Sequence, residues 1–499
     1  MAFQRASGIL LHPTCLPSRF GIGDLGQSAY AFIDFLERSG QKLWQVLPLG
    51  PTGFEHSPYI MNFSSFAGNP LLIDLDQLAA DGLIDGSALT ALPETSEAAY
   101  AKVDFAAVIP HKVNYLRQAF AQFQPDAYYE KFCREQAWWL DDYVLFIALF
   151  EDSGNLPWNQ WSPELARREP AALQQASEKL HDLIQFHKFL QFQFFDQWAK
   201  LRAYANGKGI QIVGDISIYV CHNSSDVWAA PDMFKLDPET YDPAFMAGVP
   251  PDYFSATGQL WGNPVYDWEK MEQADYAWWV NRFKATLLYV DIVRVDHFRG
   301  FEAYWQVPGG ETTAMNGEWI KGPDAKFFEV LQAAVGRLPV MAEDLGIITP
   351  EVERLRDQFN FPGMRILQFA FGGDPNNAYL PHHYIQNCVV YPGTHDNDTA
   401  IGWWNTASEH EKHHVSEYFG YTHPDQIQNI NWELIRVALS SVADLAILPM
   451  QDVLGLDGRA RMNDPRYNDG QWRWRFTDTN LLSQGLSDRL LKLTQLYSR

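Results

Sequence analysis

Four acids stand at or just beyond the ends of short apolar runs: Asp215 in "IVGDISIY", Asp296 in "DIVRVDHFRG", Glu343 in "PVMAEDLG" and Asp396 in "YPGTHDND". Arg294, His297, Arg299 and His395 crowd the same stretches. One acid at a strand end is equally well explained as a helix cap or an ion-pair partner. Four of them from four separate runs imply a chemical site. Retaining cleavage of a glycosidic bond needs two carboxyl groups about 5 Å apart, one ionised and one protonated. Arg294 lies two residues before Asp296, hence on the same strand face, where a guanidinium favours the ionised carboxylate. Met341 and Leu345 flank Glu343 with apolar groups that favour its protonated form. A third acid and a His could then grip sugar hydroxyls. The same acids could instead hold a divalent metal, but the neighbouring arginines would compete for the carboxylates.

The elements that must position these residues are legible in outline. Eight short apolar runs read as strands: Gly8–His12, Leu43–Leu47, Ile210–Ile216, Val290–Val295, Leu338–Glu343, Arg365–Phe369, Cys388–Tyr391 and Asp444–Leu448. Several are apolar at consecutive positions, as strands buried on both faces are. Helical patterns alternate with them, among them Ser28–Arg38, Asp324–Val335 and Pro350–Phe359. The last opens on Thr349-Pro350-Glu351, with a capping residue, a proline at the first helical position and an early acid. Eight such units predict an α/β fold, a (β/α)8 TIM barrel, with the acids on the carboxyl face where barrel enzymes place their chemistry. The spacing predicts one catalytic body over 1–499 with large helical insertions. One covers about 76–205, between strands two and three. The other covers about 217–285 and carries a substrate-covering loop between strands three and four.

Composition narrows the classes. The 499 residues are 46% hydrophobic and 14% aromatic, enough for a large core. A net charge of −23 repels phosphate backbones, so nucleic acid is not an expected partner. No apolar run reaches membrane-spanning length, and no membrane partner is expected. Cys15, Cys133, Cys221 and Cys388 are scattered and form no CxxC, so neither a metal framework nor a disulfide scaffold is predicted. The opening "MAFQRASGILLHPT" lacks a signal-like apolar core and a transit-like Arg/Ser stretch. The expected setting is the cytoplasm, or the plastid stroma where a transit peptide has been removed. Flat rings with polar edges suit sugars, and 18 Trp, 22 Tyr and 32 Phe supply many of them, although aromatics also simply fill cores.

Two motifs tempt and fail. Gly21–Gly26, "GIGDLG", matches a dinucleotide fingerprint. Such a site needs the first Gly at a strand end and an acid closing the next strand. Here His12-Pro13-Thr14 and further residues intervene, and the next strand ends in Leu47-Pro48-Leu49-Gly50. His410–His414, "HEKHH", matches a zinc-protease motif, but its helix is polar nearly all round, which describes a solvated face.

The acidic segments resemble the signature regions of the α-amylase clan, in the form carried by the 4-α-glucanotransferases: the amylomaltase or disproportionating-enzyme family, glycoside hydrolase family 77. "SGILLHPTCLPSRFGIGDLG" resembles the family's opening, and "LWQVLPLGPTG" and "SPYIMNFSSFAGNPLLIDL" follow it. "GVPPDYFSATGQLWGNPVYDW" resembles the acceptor-side loop. "RVDHFRGF", "AEDLG" and "GTHDNDT" resemble the catalytic regions, and "ARMNDP" and "WRWR" the tail. The resemblance spans essentially the whole chain.

It implies Asp296 as nucleophile, Glu343 as general acid/base and Asp396 as transition-state stabiliser, with Arg294 and His395 beside the reacting sugar. It implies that Tyr59 stacks on that sugar with Ser57 near it, and that Asp215 is the acid of the first region. Tyr253, Phe254, Gln259 and Trp261 match the loop that covers the cleft and guides the acceptor. Departures are Ser217 where Pro is usual, Phe54 where Tyr is common, and Asp464 and Arg466 within the usual "MNIPG". The implied activity is retaining transfer of α-1,4-glucan segments to the 4-OH of a glucan or glucose, by disproportionation or cyclisation. The resemblance requires no cofactor or metal and implies α-1,4-glucan and maltooligosaccharide substrates and a monomer or weak homo-oligomer. The rivals are an α-1,4-glucan hydrolase using the same acids, a non-catalytic glucan-binding scaffold and a nicotinamide dehydrogenase.

Overall fold

A computed structural model describes residues 3–53, 56–59, 62–94, 96–251, 255–467 and 469–499. Phe54, Tyr253 and Phe254 lie outside the described residues.

Eight parallel strands close on themselves: β1 (Ala6–Leu10), β2 (Leu43–Gln45), β3 (Gln211–Ile216), β4 (Ile292–Val295), β5 (Val340–Ala342), β6 (Gly363–Ile366), β7 (Cys388–Tyr391) and β8 (Leu445–Pro449). Each pairs with the next in sequence, and β8 pairs with β1. Nearly every residue of these strands is buried, which explains their unbroken apolar character. The expected (β/α)8 barrel is the observed architecture.

The strand limits shift for identifiable reasons. β1 begins and ends two residues before the expected run: Ala6 already pairs with Leu445, and the chain leaves the sheet into a short 3-10 turn at Pro13–Cys15. β4 begins two residues late. Val290 closes the helix Ala277–Tyr289, and the Asp291 carboxylate accepts from the Ile212 backbone N–H, bracing β3. β6 begins at Gly363, and Leu367–Phe369 is a 3-10 turn rather than strand. Thr349 does precede the helix Pro350–Gln358, yet its side chain makes no capping hydrogen bond.

Between β2 and β3 lie three long helices, Phe105–Gln122, Ala127–Asp152 and His181–Gly207. The first two start where Asp104 and Asp126 each accept two backbone N–H bonds, the usual capping chemistry of aspartate. A four-stranded antiparallel sheet joins Phe245–Val249 and Gln259–Pro264, which precede β4, to Ala303–Pro308 and Glu318–Lys321, which follow it. No helix among the described residues is long and apolar enough to cross a membrane.

The two tempting motifs have structural explanations. A Cβ on Gly23 would lie 2.0 Å from the Pro13 carbonyl oxygen, so the glycine permits the loop to fold on its own backbone. In "HEKHH", Glu411 closes a capping box with Ser408 at the start of the helix Glu409–Tyr418. Among the described residues no group of three or more His, Cys, Asp or Glu is arranged to hold a metal, and all four cysteines are free.

Candidate active site

Asp215 on β3 and Arg294 on β4 are register partners in adjacent strands, so their side chains emerge side by side. Arg294 Nη1 lies 2.7 Å from Asp215 Oδ2 and 2.9 Å from Asp296 Oδ1. The guanidinium therefore bridges two acids, one on a neighbouring strand and one two residues ahead. Both Arg294 and Asp215 are buried, and the Tyr59 hydroxyl donates to the same Asp215 oxygen at 2.9 Å.

Glu343, directly after β5, is aimed by backbone donors. The His297 N–H meets Oε2 at 2.6 Å and the Leu345 N–H meets Oε1 at 2.8 Å. His297 has φ of 50°, in the left-handed region that non-glycine residues seldom adopt, so the chain turns sharply directly after the N–H that meets Glu343. The residue following Asp296 thus holds Glu343, and the two acids flank one turn. The His297 ring meets Trp261 edge-on at 4.9 Å, and the Trp261 indole N–H donates to Gln259 Oε1 at 3.2 Å.

The remaining part follows β7. His395 stacks on Tyr59 with ring centroids 5.0 Å apart and planes within 6°. Its Nε2 lies 3.4 Å from Asp396 Oδ2. Asn463 donates to Asp396 Oδ1 at 2.6 Å, and Arg461 donates to the Asp396 carbonyl at 2.6 Å. Ser57 is buried and accepts the Tyr59 N–H at 3.3 Å, which shapes the loop carrying that ring.

Burial sets the charge states. It pushes the Glu343 carboxyl up from 4.5 to about 8, helped by the charge of Asp296; Arg294 and the two backbone donors pull the other way. Burial also raises Asp215, against the pull of Arg294 and the Tyr59 hydroxyl. Burial lowers His395, so its imidazole is neutral in the neutral range despite Asp396 beside it, and it holds the Tyr59 phenol well above its usual value.

The structure brings Asp215, Asp296, Glu343, Asp396, Arg294, His395, Tyr59, Ser57, Gln259 and Trp261 to one end of the barrel through these linked contacts. Tyr253 and Phe254 fall outside the described residues. Sequence reasoning did not single out Asn463, Arg461 or Trp472, the last of which sits 5.7 Å from the Tyr59 ring and 5.8 Å from His395. The segments "ARMNDP" and "WRWR" marked their neighbourhoods without a chemical pattern that assigns a partner.

A family model described as 4-alpha-glucanotransferase matches residues 11–481. The chain belongs to the 4-alpha-glucanotransferase family. It is 52% identical to a 4-alpha-glucanotransferase of Synechocystis over 507 aligned positions, covering 100% of this chain and 99% of the relative. It is 46% identical to one from Thermus thermophilus, with 95% of each chain covered. The solved amylomaltase of Streptococcus agalactiae, in complex with acarbose, superposes with a TM-score of 0.94 at 37% identity, covering 99% of this chain and 100% of that one. The protein is accordingly a glycosyl-transferring enzyme, and the clustered acids lie at the carboxyl ends of its barrel strands.

Proposed function

We propose that this glucanotransferase moves α-1,4-glucan segments by double displacement with retention. The Asp296 carboxylate attacks C1 of the donor sugar while Glu343 gives its proton to the departing glycosidic oxygen. A glycosyl ester on Asp296 results. Glu343, now ionised, takes the proton from the 4-OH of an incoming glucan or glucose, and that oxygen displaces Asp296 from C1. The observation that carries this reading is the different support given to the two carboxyls. Asp296 Oδ1 lies 2.9 Å from the Arg294 guanidinium at the cleft, whereas burial favours a protonated Glu343.

The other roles follow from chemistry and position. Asp396 accepts from sugar hydroxyls as the ring flattens, held for this by Asn463. Neutral His395 donates a hydrogen bond, Tyr59 offers a ring face, and Asp215 fixes both Tyr59 and Arg294. Gln259 and Trp261, beside His297, line the path of the acceptor, with Tyr253 and Phe254 assigned there from the sequence resemblance alone. Exclusion of water favours a sugar acceptor over hydrolysis.

Incubation with maltotriose tests the function. Transfer yields glucose and a ladder of longer maltooligosaccharides. A product mixture confined to glucose and maltose would replace transfer with hydrolysis. Trapping a covalent adduct on Asp296 with a slow fluorinated glycosyl donor, located by peptide mass, tests the double displacement.

A further inference from the structure

Asp464 and Arg466, the two departures in the tail segment, sit in a chain of contacts that ends on Asp396. Arg466 forks onto Asp464, with Nε 2.9 Å from Oδ1 and Nη2 2.6 Å from Oδ2. Asp464 Oδ2 also lies 3.1 Å from Arg461 Nη1. The same Arg461 guanidinium donates through Nη2 to the Asp396 carbonyl at 2.6 Å and through Nε to the Asn463 carbonyl at 2.7 Å. All three nitrogens of a planar fork are thus engaged, which fixes its acceptors relative to one another. Asn463 in turn holds the Asp396 side chain, and its N–H donates to the His395 carbonyl at 3.0 Å. The backbone and the carboxylate of Asp396 are therefore clamped by one short segment, and Asp464 is the anionic corner that keeps the clamp's guanidinium from rotating.

We propose that Asp464 is a positioning residue for Asp396, acting through Arg461, with Arg466 holding Asp464 from outside. This rests on the role assigned to Asp396 above. Asp464, Arg466 and Arg461 themselves contact none of the carboxylates assigned to the sugar, and Arg461 reaches Asp396 only at its carbonyl. Loss of the clamp therefore changes how well Asp396 meets the transition state more than how well substrate binds. The effects are graded. Arg461 touches Asp396 directly, Asp464 acts one step removed, and Arg466, with 69% of its side chain exposed, is the most screened.

The test uses the full-length enzyme with maltotriose, measuring kcat, KM and the urea unfolding midpoint for Asp464→Asn, Asp464→Ala, Arg461→Ala, Arg466→Ala, the Arg461→Ala/Asp464→Ala double variant and Asp396→Asn. Both Asp464 variants should lose about tenfold in kcat, with KM within about twofold and the midpoint unchanged. Asp464→Glu, which keeps the charge, should recover part of the loss. The double variant should be no worse than Arg461→Ala alone, since both break one path. Normal kcat in the Asp464 variants with an inactive Asp396→Asn would overturn the clamp and leave Asp396 its role. Additive losses, or losses matched by a fall in the midpoint, would also overturn it. Full turnover in Asp396→Asn would overturn the assignment of Asp396 and the clamp with it.

Discussion

On the β3–β5 side of the site, the groups proposed to react are held by the barrel wall. Asp215 and Arg294 are register partners on neighbouring strands, Asp296 follows within two residues, and Glu343 directly follows β5. On the β7 side, the groups are held by loops. Asp396, with 43% of its side chain exposed, depends on Asn463 and Arg461 from a segment more than sixty residues later, and His395 on Tyr59 from the loop after β2. The strand side stores its precision in sheet hydrogen bonds and buried charge pairs. The loop side must assemble it from contacts between distant segments. Failures should differ accordingly: loss of a partner in the buried Arg294–Asp215 pair disturbs both charge and folding, whereas loss of a loop-side support disturbs geometry alone.

Four experiments test that contrast. The largest effect belongs to Asp296→Asn, which removes the proposed attacking atom and should lower kcat by about 10⁴-fold or more in maltotriose disproportionation. Its fold should survive, since 28% of the Asp296 side chain is exposed. Normal turnover would dissolve the strand-side assignment altogether.

Arg294→Ala comes second, at about 10²–10³-fold in kcat. It also leaves Asp215 buried and unpaired, at a cost of about 3–5 kcal/mol in urea unfolding. Adding Asp215→Asn should recover most of that stability and none of the turnover. If Arg294→Ala unfolds no more easily than the parent, the strand side is not held by this pair.

The loop side is read by Asn463→Ala, expected to cost about tenfold in kcat with an unchanged unfolding midpoint, because the bond it removes is a single charge-assisted one at a partly exposed carboxylate. A large stability loss here would erase the distinction between the two sides.

The smallest effect is the pH dependence. Glu343 is raised from 4.5 to about 8 in the folded protein, so kcat/KM should hold through the neutral range, be about halved near pH 8 and fall beyond it. The folded state binds this proton more tightly than the unfolded state. The stability it confers is therefore complete below 4.5 and is lost as the pH rises through the folded value. Glu343→Gln should flatten the stability profile over that window. A kcat/KM that stays level well above pH 8 would remove Glu343 as the acid.

The sequence by itself determined the barrel and the strand-side acids. Runs buried on both faces are apolar throughout, eight of them make a closed parallel sheet, and parallel strands all deliver their carboxyl ends to one face. Once that is known, Asp215, Asp296 and Glu343 must converge, and the two-residue spacing of Arg294 and Asp296 places them on one side of β4. Only the tertiary structure decided the rest. The left-handed φ at His297, whose N–H meets Glu343, is not encoded by a glycine or an Asn-Gly signal. The pairings of Asp396 with Asn463 and of Tyr59 with His395 and Trp472 join loops whose separation in the chain carries no periodicity. Periodic patterns report which face of an element is buried. They do not report which loop folds over which, because that is settled by packing between segments that the local sequence does not describe.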